Sequence, residues 1–161
     1  MVIIAYDLGT GGVKAALYDD SLKVLAKSFM EYRTYFPGSG LHEQKPSDWW
    51  NGVVESTKQL LAASHTDPQA VGAVAISGQS LTAIPVDGSG AALLERVPIW
   101  SDGRAKDEAR HFLETVDEER WYMTTGNGFP AHCYTIFKLM WMKAHQSEVF
   151  SNMKHVLGSK D

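Results

Sequence analysis

Apolar residues come in short clusters along this chain, and their spacing switches between two periods. Val2 to Tyr6 is a compact apolar run that ends at Asp7, and it reads as a buried strand. Gly9, Gly11 and Gly12 supply a turn, and Val13 to Tyr18 reads as a second strand. The polar turn Asp19-Asp20-Ser21 leads into a third extended stretch, Val24 to Tyr35, with Phe29, Tyr32 and Tyr35 among polar neighbours. Three strands in succession predict an antiparallel meander, which Pro37-Gly38-Ser39-Gly40 then breaks.

The period changes after Pro46. Trp49, Trp50, Val53, Val54, Thr57, Leu60 and Leu61 share one helical face, with Ser47 as N-cap, so a helix is predicted over 47–63. Asp67-Pro68 ends it, and Val71 to Ile76 is an apolar, partly β-branched run that reads as a buried strand. Ser77-Gly78-Gln79-Ser80 interrupts this strand, Leu81 to Val86 resumes it, and Asp87-Gly88-Ser89-Gly90 is a turn. Ala105, Ala109, Phe112, Leu113 and Val116 predict a helix over 104–115. Ile136, Phe137, Met140, Trp141 and Ala144 predict another over 134–145, after a loop at 126–130. Val156 and Leu157 open one more strand. This order predicts an α/β domain with a mixed sheet. A last strand with nothing after Lys160-Asp161 predicts that the sequence is part of something longer.

Composition narrows the function classes. The 161 residues carry 15 Lys+Arg against 19 Asp+Glu, a net charge of −4, with 44% apolar and 11% aromatic content. One folded domain is the expectation at this length, and disorder is excluded as the main state. The acidic balance argues against nucleic acid as a partner. No apolar run approaches the ~18 residues of a membrane span, and Val2 to Tyr6 is too short for a signal peptide. Cys133 is the sole cysteine, which rules out an internal disulfide or a cysteine-based zinc site and points to a reducing, cytoplasmic setting.

Three clusters could carry chemistry. Asp7-Leu8-Gly9-Thr10-Gly11-Gly12-Val13-Lys14 is a strand-turn-strand whose glycines let backbone N–H groups approach a phosphate. Thr10 adds a hydroxyl, and Asp7 could hold Mg²⁺ through water. It is neither a Walker A loop nor a dinucleotide fingerprint, and a plain hairpin with glycine at positive φ reads equally well. Ser77-Gly78-Gln79-Ser80 could present Gln79 to sugar hydroxyls, or could be a bulge between strands. Trp100-Ser101-Asp102-Gly103-Arg104 combines an aromatic face, an acceptor and a donor, as sugar recognition requires. Its alternative is a helix N-terminus with Asp102 as cap and Arg104 solvated. The six histidines have no metal-ligand spacing. Cys133 beside His132 reads as a buried thiol, Trp49-Trp50 as core, and Lys138 and Lys143 as solvated.

In combination the motifs say more. Asp7 to Lys14, Glu43 to Trp50, Ile76 to Gln79, Ile99 to Ala105, Lys138 to Trp141 and Gly158 to Asp161 follow one another in order. In this order and spacing the chain resembles the N-terminal part of the FGGY carbohydrate kinases, from end to end. The resemblance implies a ribonuclease H-like, actin-type ATPase fold with two such domains around a cleft. ATP would be held mainly by the C-terminal domain and a sugar or polyol mainly by the N-terminal one. It places Asp7, Gly9, Thr10, Gly11 and Gly12 at the phosphates and Mg²⁺. It places Gln79, Ser80, Leu81, Trp100, Asp102 and Arg104 around the sugar. Xylulokinases carry Met-His after the Gly-Gln, and glycerol kinases Arg-Glu; Ser80-Leu81 sets this chain apart from both. The family's general base is an Asp expected beyond residue 161, together with the ATP-binding domain. Residues 1–161 are therefore expected to be an N-terminal portion of the sugar-binding domain, inactive alone. A homodimer is compatible with this. Two alternatives stand beside it: a hydrolase or phosphotransferase of the same superfamily, and a sugar-binding or interaction module without turnover.

Overall fold

The computed structural model describes residues 1–128 and 130–161. Phe129, within the loop predicted at 126–130, lies outside the described residues. The chain runs through β1 (Val2–Leu8), β2 (Gly12–Tyr18), β3 (Val24–Glu31), β4 (Tyr35–Gly38), β5 (Leu41–Gln44) and α1 (Pro46–Ser64). It continues through β6 (Val71–Gly78), β7 (Ile84–Val86), β8 (Val97–Pro98), α2 (Lys106–Leu113) and α3 (Glu118–Thr125). It ends with α4 (Thr135–His145), α5 (Ser147–Asn152) and β9 (His155–Leu157). Among the described residues no helix is long and apolar enough to cross a membrane.

Two compact units divide these elements. The first comprises Met1–Thr34, Lys45–Gln79 and Ser159–Asp161. Its sheet has the order β3-β2-β1-β6, with β1, β2 and β3 antiparallel, as the meander predicts, and β6 parallel to β1. Strand alternation sorts the side chains. Ile4, Tyr6 and Leu8 of β1 and Val13, Ala15 and Leu17 of β2 are buried, while Asp7 and Lys14 are exposed. Helix α1 covers the buried face. Tyr6 Oη donates to Thr57 Oγ1 at 2.5 Å, and a Cβ at Gly52 would lie 2.9 Å from Val13 Cγ1. Glycine at that point lets the helix close on β2.

Helix α1 starts one residue before the predicted cap. Pro46 occupies the first helical positions, where its missing N–H costs nothing, and Ser47 lies inside the helix. His65, left-handed at φ 52°, closes it with N–H bonds to Ala62 and Leu61 carbonyls. Of the tryptophan pair only Trp49 is core; Trp50 is 68% exposed, because adjacent helical residues lie about 100° apart.

Gly12 begins β2 where β3 comes closest. A Cβ there would lie 2.5 Å from the Met30 carbonyl oxygen and 2.7 Å from the Phe29 ring. The ring can turn aside, but the carbonyl belongs to the paired strand. Gly12→Ala is expected to cost about 1–3 kcal/mol through overpacking. Thermal or denaturant unfolding checks this, and an unchanged midpoint refutes it.

The second unit comprises Tyr35–Gln44 and Ser80–Gly158. It holds an antiparallel sheet β4-β5-β8 and an antiparallel pair β7-β9. The predicted third strand therefore stops at Glu31 rather than Tyr35. Tyr35 opens a separate hairpin, turned at Gly40 with φ +72°. Ala105, Ala109 and Phe137 form a core, packed by Phe112, Trp121, Ala131, Tyr134 and Trp141. Phe112 meets Trp121 and Phe137 edge-on at 5.1 and 5.4 Å. Helices α3 and α5 are not predicted by the pattern. The apolar residues of α3, Trp121, Tyr122 and Met123, are consecutive rather than periodic, and α5 spans less than two turns.

Candidate active site

The hairpin between β1 and β2 is closed by Gly9 N–H donating to the Gly12 carbonyl at 3.1 Å. Gly9, Gly11 and Gly12 all lie outside the left-handed region, so the turn does not use glycine for positive φ. Gly12 is needed for the close approach of β3. Gly11 is exposed, and a Cβ there would meet nothing within 4 Å of the chain. Asp7 pairs across the sheet with Lys14 and, on its other side, is in register with Ser77. Its Oδ2 lies 3.8 Å from Lys14 Nζ, with both side chains at least half exposed. It stands on the face opposite α1. Tyr32 donates its hydroxyl to the Gly9 carbonyl, tying the turn to the residue that follows β3. Burial, and secondarily the Asp7 charge, push the Tyr32 phenol up to about 12, so it remains a donor at neutral pH.

Gln79 follows β6 in the same unit. Its N–H donates to the Leu8 carbonyl at 2.8 Å, and its own carbonyl accepts from Ser159 Oγ at 2.8 Å. The backbone at Gln79 is thus fixed beside the end of β1, next to the glycine hairpin. The chain then enters the second unit at Ser80. Ser80 and Trp100 are exposed, whereas Leu81 is partly buried and left-handed at φ 62°.

Asp102 and Arg104 are turned inward. Asp102 is fully enclosed and accepts from the His42 backbone N–H at 2.7 Å and the Arg104 backbone N–H at 3.0 Å. Arg104 Nε reaches Asp102 Oδ1 at 2.7 Å, and its Nη2 reaches Asp102 Oδ2 at 3.0 Å and Glu43 Oε1 at 2.6 Å. The guanidinium lies over the Trp141 ring, 4.9 Å from its centroid. Burial alone would lower the Arg104 pKa, but the hydrogen bonds to Asp102 and Glu43 outweigh it and hold the group above its ordinary value. The helix-cap alternative does not hold: Ala105 is the N-cap of α2, and Arg104 is buried rather than solvated.

Lys138 is also unlike its sequence reading. It is fully buried, not solvated, and donates to the carbonyls of Leu81 at 2.7 Å and Cys133 at 2.5 Å. Burial pushes its ammonium down to about 8. Cys133 is buried, as expected, and burial raises its thiol. Sequence reasoning did not single out Tyr32, Glu43 or Ser159 as supports. Each acts through a partner distant in the chain, and no local pattern marks that.

Known proteins resemble this chain in sequence and fold. Residues 2–161 match the FGGY family of carbohydrate kinases, N-terminal domain. A xylulose kinase of Klebsiella pneumoniae is 32% identical over 158 residues, covering 98% of this chain and 32% of that protein. A crystal structure of a xyloylose kinase from Brucella ovis superposes with a TM-score of 0.90 at 28% identity, over 100% of this chain and 33% of that one. A gluconate kinase from Lactobacillus acidophilus superposes with a TM-score of 0.87 at 26% identity, over 98% of this chain and 31% of that one. The chain spans about a third of the length of these proteins. Over that span, the chain belongs to the FGGY family of carbohydrate kinases.

Proposed function

We propose that this chain supplies the sugar-binding part of an ATP-dependent kinase that phosphorylates a hydroxyl of a sugar or polyol. The observation that carries the reading is the position of Asp7. It is a half-exposed carboxylate at the end of β1, on the face α1 leaves uncovered, beside the exposed Gly11. A single carboxylate suits Mg²⁺, which keeps most of its waters and takes further ligands from substrate phosphates. Asp7 would hold the metal through water, and Gly9, Thr10, Gly11 and Gly12 would cradle the phosphate end of ATP. Bound with ATP, Mg²⁺ would neutralise charge on the transferring phosphoryl group. Gln79 and Ser80 offer an amide and a hydroxyl to sugar hydroxyls, and Trp100 an apolar face. Asp102 and Arg104, already saturated by each other, Glu43 and His42, would shape this region rather than touch the sugar.

Two of the three proteins named above are xylulose kinases, which makes a ketopentose the first substrate to try. Ser80-Leu81 at the recognition segment argues for a wider set. The test is ADP release by the intact protein carrying residues 1–161, with ATP, Mg²⁺ and a panel of D-xylulose, D-ribulose, gluconate and glycerol. Turnover should rise above the ATP-only background with one of them. ATP hydrolysis at the same rate with and without every panel member would point instead to a hydrolase. Absence of ATP turnover under all conditions would favour a binding module.

A further inference from the structure

A lysine with no exposed surface is unusual, because its ammonium must lose water. Lys138 offsets that loss with main-chain oxygens. It donates to Cys133 O at 2.5 Å, in the 3₁₀ turn just before α4, and to Leu81 O at 2.7 Å, 57 residues away. Three residues earlier on the same helix, Thr135 Oγ1 donates to the Thr82 carbonyl at 3.1 Å. Residues three apart share a helical face. Helix α4 therefore grips two successive carbonyls of one segment, Leu81 and Thr82, from its first turn.

That segment needs a grip. Leu81 is left-handed at φ 62°, a conformation that an L side chain adopts only at an energetic cost. Strained backbone of this kind persists where its surroundings over-determine it. The exposed Ser80 sits immediately before it, so a fixed Leu81 backbone restrains Ser80 as well.

We propose that Lys138 is a positioning residue for substrate recognition: with Thr135 it clamps the left-handed Leu81 backbone and so fixes how Ser80 and Leu81 meet the sugar. This rests on the reading that the 79–81 segment faces the sugar. A charged donor is suited to the task, since hydrogen bonds from an ionised group are about twice as strong as neutral ones. Phe137 and Met142, also buried on α4, have apolar side chains with no hydrogen-bond donor to offer these carbonyls.

The experiment compares Lys138→Met, Lys138→Arg and Thr135→Val in the intact protein, with Met142→Ala as a control for general loosening of α4. Lys138→Met should raise the sugar KM at least tenfold and leave the ATP KM within twofold. Lys138→Arg, which keeps a charged donor, should recover most of that loss. Met142→Ala should lower the melting temperature but leave the sugar KM within twofold. If Lys138→Met does not fold, Thr135→Val carries the test, with a sugar KM raised about threefold. An unchanged sugar KM, equal effects on both substrates, or an equal effect from Met142→Ala would overturn the proposal. Should the wild type phosphorylate no sugar at all, the functional reading fails separately. Hydrogen exchange then decides the clamp: Lys138→Met should speed exchange at residues 80–83 and 131–134 over the wild type, and unchanged exchange there sinks it.

Discussion

Asp7→Asn is expected to cut sugar-dependent ATP turnover at least a hundredfold while leaving stability within about 1 kcal/mol of wild type. The two halves of that expectation have separate causes. The carboxylate stands at a strand end with its side chain half exposed, and its ion pair to Lys14, at 3.8 Å, is itself exposed to water. Such pairs contribute little to folding. Asparagine keeps the shape but removes the charge that would hold a hydrated Mg²⁺ at the phosphates. Tyr32 offers an independent check that the geometry is intact. Asp7 contributes to its raised pKa, but burial is the larger cause. The variant should therefore titrate Tyr32 somewhat below about 12, yet still above an ordinary phenol. Turnover close to wild type in Asp7→Asn would remove Asp7 from the metal site. A large fall in melting temperature would make it structural.

Much of this site is legible in the residue order, because its first half is local. A strand, a glycine turn and a second strand need only short-range information, and the hairpin forms with Asp7 and Lys14 opposite each other. β6 also forms where its apolar run predicts, parallel to β1, and delivers Gln79 beside Leu8, but it is not the buried strand expected: at the edge of the sheet it is exposed along most of its length, with Val74 57% and Ile76 46% exposed. This is the mixed sheet of a ribonuclease H-like, actin-type fold. The second unit is less legible. Its hairpin at 35–44 looks like the tail of a longer strand followed by a break, since Tyr35 and Phe36 continue the apolar spacing. On α4 the apolar stripe suggests Ile136 and Met140 as core, yet both are partly exposed while Lys138 is enclosed. Hydrophobic periodicity cannot find a buried lysine. Its partners are backbone carbonyls, which carry no side-chain signature in the sequence. The motif Lys138 to Trp141 belongs to the resemblance, but the partner of Lys138, the Leu81 carbonyl at 2.7 Å, lies 57 residues away in the chain.

The Trp100–Arg104 motif shows the same gap between residue type and role, and it leads to the largest expected loss of stability. An acid and a base beside an aromatic suit a sugar, and that reading predicts that Asp102→Ala raises the sugar KM far more than the ATP KM. The structure gives Asp102 a different set of partners. Its carboxylate accepts from two backbone N–H groups and two guanidinium nitrogens, with no exposed surface. Removing it leaves Arg104 buried with Glu43 as its remaining carboxylate partner and strips His42 N–H of its acceptor. Breaking one side of a buried pair costs about 3–5 kcal/mol where the surviving charge is left uncompensated, and Glu43 would keep the Asp102→Ala cost toward the lower end of that range. Asp102→Ala and Arg104→Met should each destabilise by that order in denaturant unfolding. The double variant should cost clearly less than their sum, since it removes both charges at once. Any change in sugar KM should then follow the loss of folded protein and be matched by other severe core variants. A variant Asp102→Ala that melts like the wild type but loses sugar affinity would reverse the assignment. The carboxylate would then belong to the substrate and not to the frame.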